Sequence, residues 1–202
     1  MKRARIGILG GTFDPPQMGH LILAEYSRET LQMDHILFVP VADHPVKLGE
    51  TRLPIKHRLA MLELAIKDNP NFSISRVDID REGPHYSADT VSVIREQYPD
   101  AELYFVMGGD NLRSLPTWKR AQDLYRCCRL AVMKRADENI APAMHDHALP
   151  GLSQQVDIVD VPMLSMWLSS TFVAERLRDG LSVRYLVPDA VLDYIDDYNL
   201  YR

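Results

Sequence analysis

A chain of 202 residues, 46% hydrophobic and 25% charged, has apolar content for one sizeable core and charge enough for a water-facing surface. Its net charge of -5 argues against a broad, non-specific nucleic-acid surface, while leaving room for a small anion held by local cations. The two cysteines, adjacent at Cys127 and Cys128, give no disulfide framework and suggest no zinc site.

The first predicted element is an apolar strand over residues 4–9, followed by Gly10-Gly11-Thr12-Phe13-Asp14-Pro15-Pro16-Gln17-Met18-Gly19-His20. A helical pattern covers residues 20–31, so the glycine-rich stretch is a strand-to-helix connection with His20 on the helix's first turn. Paired glycines let a backbone approach a ligand closely, and a helix N-terminus offers unpaired N–H donors and a positive dipole end. Those are the needs of a phosphate site. His35–Pro40 reads as a second strand closed by proline, completing a βαβ unit with parallel pairing.

A polar loop over 41–51 leads to Pro54 near the start of the next helix, where Ile55, Leu59, Leu62 and Ile66 form an apolar stripe. Lys56, His57 and Arg58 are read as lying off that stripe. Residues 72–77 alternate as a third strand, and Ser87 is the expected N-cap of a helix over 88–98. Residues 103–107 form a strongly apolar strand ending in a second glycine turn, Gly108-Gly109-Asp110-Asn111. Leu115-Pro116-Thr117-Trp118 interrupts the structure, and a short helix resumes over 119–125. Residues 130–133 are another strand.

Residues 137–155 show the least pattern and are expected to be a variable surface segment. Residues 156–161 alternate apolar with acidic, as an edge strand does. Ser169-Ser170-Thr171 caps a helix to about Arg178 that Gly180 ends, and Pro188 opens a last helix over Asp189–Asp197. The expected fold class is α/β, a doubly wound Rossmann-like parallel sheet with helices on both faces and a small C-terminal helical portion over about 169–202. The whole of 1–202 reads as a single domain. No signal-peptide core follows the charged N-terminus, and no run approaches the roughly 20 apolar residues of a membrane span. The expectation is a cytoplasmic protein with no membrane partner; the sequence gives no oligomeric state.

Gly10, Gly11, Phe13, Asp14, Pro15, Gly19 and His20 match the glycine-glycine-x-phenylalanine-aspartate-proline and histidine-x-glycine-histidine signature that the chain resembles, that of the nucleotidyltransferase superfamily. Leu168-Ser169-Ser170-Thr171 with Arg176 resembles the superfamily's second phosphate motif. Pro84-His85-Tyr86-Ser87-Ala88-Asp89-Thr90, the Gly108-Gly109-Asp110-Asn111 turn, the Leu115-Pro116-Thr117-Trp118 loop and the closing residues together resemble bacterial nicotinate-mononucleotide adenylyltransferases over essentially the whole chain.

The resemblance implies transfer of AMP from ATP to nicotinate mononucleotide, with pyrophosphate released and Mg²⁺ arriving on ATP. No nucleic acid is involved. It implies His20, Gln17, Lys47 and Arg176 as catalytic groups. Gly10, Gly11, Thr12, Phe13, Asp14, Gly19, Gly108, Asp110, Arg135, Ser169, Ser170 and Thr171 would bind ATP, and Tyr86, Ser87 and Trp118 the pyridine nucleotide. No protein metal ligand is implied. Trp118 suits stacking on a flat nicotinate ring.

Three positions depart from the family pattern. Gln17 stands where the first histidine is usual and carries no charge at any pH. Val46 replaces a loop histidine, and Ala174 replaces an arginine. Compensated transfer, a non-catalytic nucleotide-binding paralogue, and a related substrate such as nicotinamide mononucleotide therefore all remain open from the residues alone.

Overall fold

The computed structural model describes residues 3–42, 53–135, 138–161 and 168–202. Six strands, β1 (Arg5–Gly11), β2 (His35–Pro40), β3 (Phe72–Ile74), β4 (Glu102–Gly108), β5 (Arg129–Lys134) and β6 (Val156–Asp160), pair in the order β3-β2-β1-β4-β5-β6. Every pairing is parallel. The central strands are covered on both sides, which is why Leu103 to Met107 of β4 are all apolar and all buried. β6 lies at the sheet edge, as its acidic alternation predicts. The chain winds outward from β1 through β2 to β3, then returns to place β4 on the other flank of β1. That reversal opens a crevice at the carboxyl ends of β1 and β4.

The described helices are α1 (Met18–Thr30), α2 (Ile55–Ile66), α3 (Ser87–Gln97), α4 (Gly109–Ser114), α5 (Ala121–Cys127), α6 (Ser170–Arg178) and α7 (Asp189–Asp197). Val91 and Ile94 of α3 and Leu124 of α5 pack on Ile6, Ile8, Leu103 and Phe105. On the opposite face Ala24 of α1 with Leu62 and Ile66 of α2 pack on Leu9, Phe38 and Val106. Met61 on the far side of α2 joins Val173, Val191 and Ile195 in a smaller core that seats α6 and α7. Among the described residues no helix is long and apolar enough to cross a membrane.

Four sequence expectations need correction. β3 stops at Ile74 because the chain turns at Arg76, whose carbonyl accepts from the N–H groups of Ile79 and Asp80 at 2.8 and 2.9 Å. Ser87 is the first residue of α3 and not its cap; Tyr86 holds the cap position without a side-chain bond. The 115–118 stretch does not interrupt helix but tightens it into a 3₁₀ turn, Leu115–Thr117, directly after α4. Residues 138–155 are not merely surface. Two 3₁₀ turns, Pro142–His145 and Leu152–Gln155, hold Ile140 and Leu152 in the α3–α5 core, and such isolated anchors leave no periodic signal.

Candidate active site

Two cavities flank the crevice between β1 and β4. The first, ≈ 200 Å³, is lined by Gly10, Gly11, Thr12, Ser87, Thr90 and Trp118, among others. The second, ≈ 240 Å³, is lined by Gln17, Gly19, His20, Gly108, Asp110, Arg135, Ser169 and Ser170, among others. The fold thus brings thirteen of the catalytic and binding residues implied by the resemblance to one crevice, distributed between two chambers. A larger open groove of ≈ 490 Å³ lies beside edge strand β3 against Arg76, Asp80 and Tyr98; none of the motif residues converges on it.

The start of α1 differs from the open phosphate cradle that its glycines suggest. Met18 N–H donates to Leu186 O at 2.8 Å, Gly19 N–H to Gln17 Oε1, and His20 N–H to Gln17 O at 2.9 Å. The first-turn donors are therefore spent inside the protein. What α1 offers is the His20 side chain. Gln17 N–H donates to His20 Nδ1 at 3.1 Å, which assigns the ring proton to Nε2. Burial pushes the imidazole pKa down to about 4, and the Phe13 ring meets it edge-on at 5.0 Å. At neutral pH His20 is an uncharged hydrogen-bond donor.

α6 is the complementary case. Ser169 Oγ accepts from Phe172 N–H at 3.1 Å as the N-cap, while Ser170 N–H and Thr171 N–H have no acceptor among the described residues. Ser170 Oγ donates to Pro15 O at 2.8 Å, so the hydroxyl ties the helix to the glycine-rich stretch. Two backbone donors at the start of a nine-residue helix suit a phosphate. The start of α3 has the same property: no acceptor among the described residues meets Ser87 N–H or Ala88 N–H.

Trp118 lines the first cavity, with Nε1–H donating to Ser114 Oγ at 3.2 Å and its ring edge-on to Phe105 at 6.3 Å. Behind it, buried Asp78 accepts from Thr90 Oγ1 at 2.7 Å and from Arg81 Nη2 at 2.9 Å. Arg81 Nη1 also donates to Pro84 O at 3.3 Å. This network fixes the approach to the α3 N-terminus.

Other singled-out residues have structural positions. Phe13 is fully buried against Phe38, so its ring packs the base of the motif and does not face the crevice. Asp14 accepts from Tyr201 Oη at 2.5 Å and from Leu53 N–H at 3.1 Å. Tyr86 is the α3 cap, and Thr171 is exposed on the first turn of α6. Arg176 donates from Nε and Nη2 to Ser182 O at 3.0 and 2.9 Å in the last turn of α6. Ala174, where an arginine is usual, is buried. Lys47 and Val46 lie outside the described residues. Among the described residues no group of three or more His, Cys, Asp or Glu side chains forms a metal site.

Arg58, read from the sequence as lying off the α2 stripe, belongs instead to the buried face of that helix. It is fully buried, donating from Nη1 to Thr12 O and Val41 O at 2.8 and 2.9 Å and from Nε to Leu53 O at 3.0 Å. The signal was present: position 58 lies three after Ile55 and four before Leu62, on the edge of the buried stripe. Tyr201 was read only as part of a closing segment. Burial and the neighbouring Asp14 carboxylate raise its hydroxyl pKa well above the ordinary phenol range.

A Rossmann-like sheet with a neutral histidine and a free helix N-terminus at its switch point defines a nucleotidyl-transferring class of protein. In keeping with that, residues 8–176 match the family model described as cytidylyltransferase-like. The "Probable nicotinate-nucleotide adenylyltransferase" of Thermomicrobium roseum is 41% identical over 199 residues, 98% of this chain and 92% of that protein. A protein of the same name from Roseiflexus sp. is 39% identical over the full length of both. The chain belongs to the nicotinate-nucleotide adenylyltransferase family. In fold it is similar to the Plasmodium falciparum nicotinic acid mononucleotide adenylyltransferase solved with NaAD, with a TM-score of 0.79 over 98% of both chains at 20% identity.

Proposed function

We propose that residues 1–202 act as one nucleotidyltransferase unit that moves AMP from ATP to nicotinate mononucleotide, giving nicotinate adenine dinucleotide and pyrophosphate. The observation that carries this reading is the pair of cavities on either side of the β1–β4 crevice. One presents His20 and the α6 donors, and the other presents Trp118 and the α3 donors. A 5′-phosphate oxygen of the mononucleotide attacks the α-phosphorus of ATP, a new P–O bond forms, and the bond to the β-phosphate oxygen breaks. The nucleophile needs no covalent help from the protein, so catalysis is in-line positioning and neutralisation of charge on the phosphates.

His20 Nε2–H donates to the α-phosphate as charge develops there, and Ser170 and Thr171 N–H groups hold the leaving pyrophosphate. The pyridine ring stacks on Trp118, and the α3 N-terminus takes its carboxylate. A positive helix end and two open donors favour nicotinate over the neutral nicotinamide. Mg²⁺ would be held by the ATP phosphates and water, with no protein carboxylate required, and would supply charge neutralisation there. The cytoplasm, where ATP is supplied, is the compartment this reading implies.

The test is pyrophosphate release by the pure protein with ATP and Mg²⁺, supplied separately with nicotinate and nicotinamide mononucleotide. Turnover that is faster with the nicotinate substrate is the expected outcome. Absence of turnover with either, at high concentrations, would instead identify a nucleotide-binding paralogue, the reading that Gln17 and Ala174 favour.

A further inference from the structure

We infer that Gln17 is a positioning residue: a neutral tie that sets the phosphate donors of α6 against His20, where the family pattern has a histidine. The inference rests on reading the second cavity as the ATP site. Gln17 is 4% exposed and its amide is engaged at both ends. Oε1 accepts from Gly19 N–H, capping α1, and Nε2 donates to Leu168 O at 3.3 Å. The two partners also settle which end of the amide is which, since an N–H must meet an oxygen and a carbonyl must meet an N–H.

The tie reaches across 151 residues to the residue just before the Ser169 cap. It runs beside a second link of the same kind, Ser170 Oγ to Pro15 O. Together they stitch the start of α1 to the start of α6. Gly19 completes the arrangement: a Cβ there would come within 2.6 Å of Gln17 Oε1, so only glycine lets the amide lie over the first turn. Meanwhile the Gln17 backbone N–H holds His20 Nδ1. One residue thus orients both the side-chain donor on α1 and the backbone donors on α6. A charged ligand at position 17 is unnecessary where these neutral donors are held in place.

The experiment separates the cap from the tie. Asparagine caps a helix at least as well as glutamine, but it is one methylene shorter and does not reach Leu168 O. Wild type, Gln17→Asn and Gln17→His are compared by calorimetric binding of α,β-methylene-ATP with Mg²⁺, by thermal unfolding, and by steady-state kinetics. For Gln17→Asn, affinity for the analogue and KM for ATP weaken by about three- to ten-fold, the scale of one neutral hydrogen bond. Its melting temperature and its kcat at saturating ATP change far less than its KM. Gln17→His brings no gain in kcat/KM, because the rigid ring does not serve Gly19 and Leu168 together. Unchanged ATP affinity in Gln17→Asn would overturn the tie. So would a ten-fold or greater gain in kcat with Gln17→His at undiminished affinity, which would mark position 17 as a phosphate ligand. Wild-type protein that turns over substrate and binds the analogue, beside an unaffected Gln17→Asn, refutes only the tie. Wild-type protein that does neither refutes the ATP site and the tie with it.

Discussion

Arg58 shows how one buried cation organises the residues around a site without entering it. Its guanidinium gathers three carbonyls, Thr12 on the phosphate motif and Val41 and Leu53 on two separate segments, in a fork that a lysine ammonium does not reproduce. Replacing it with methionine leaves three part-buried carbonyls without this donor, at a cost of about 1–3 kcal/mol. Urea unfolding measures this, and Arg58→Lys should recover only part of the loss. His20 gives a pH prediction at the same scale. Its folded pKa of about 4 lies below the 6.5 of an unperturbed imidazole, so the unfolded chain takes the proton first. This contribution to stability is fully present above pH 6.5 and is lost as pH falls toward 4. Unfolding free energies measured across that window should decline in wild type and decline less in His20→Asn. In the free enzyme, proton NMR should find no His20 titration near pH 6.5.

At the scale of elements, β1 owes its place to Gly7. A Cβ there would lie 2.4 Å from Ile36 Cδ1 and 2.7 Å from Met33 Sδ, so glycine lets β2 and the chain after α1 close onto the strand. Gly7→Ala should destabilise by about 1–3 kcal/mol through overpacking, read as a lower denaturant midpoint with an unchanged slope. The 3₁₀ turn after α4 positions Trp118 on the first cavity, with Ser114 and Phe105 fixing the indole. Trp118→Ala should raise KM for nicotinate mononucleotide about ten-fold, consistent with loss of roughly 1 kcal/mol or more of stacking, while KM for ATP moves little. Substrate titrations run one at a time distinguish the two.

Across the whole molecule, the last residues close back on the first motif. Tyr201 Oη donates to Asp14, whose other oxygen accepts from Leu53 N–H, and Met18 N–H donates to Leu186 O. The C-terminal helical portion is therefore part of the site's frame. Tyr201→Phe removes a bond to a charged acceptor and should cost about 1.5–3 kcal/mol, seen as a lower melting temperature with weaker ATP-analogue binding.

The sequence by itself determined the strand and helix order, the strand-to-helix turn at Gly10-Gly11, the bounds of β2 and α7, and the resemblance that names the crevice residues. These are local matters, written in hydrophobic period, capping residues and contiguous motifs. Only the tertiary structure decided how those residues divide their work. Met18 N–H on Leu186 O, the Gln17 amide on Leu168 O, the Arg58 guanidinium on Thr12 O, and Asp14 facing Tyr201 all depend on partners distant in the chain. Hydrogen-bond satisfaction is settled by what folding brings alongside each donor, and residues 46 to 187 positions apart leave no spacing from which to read it.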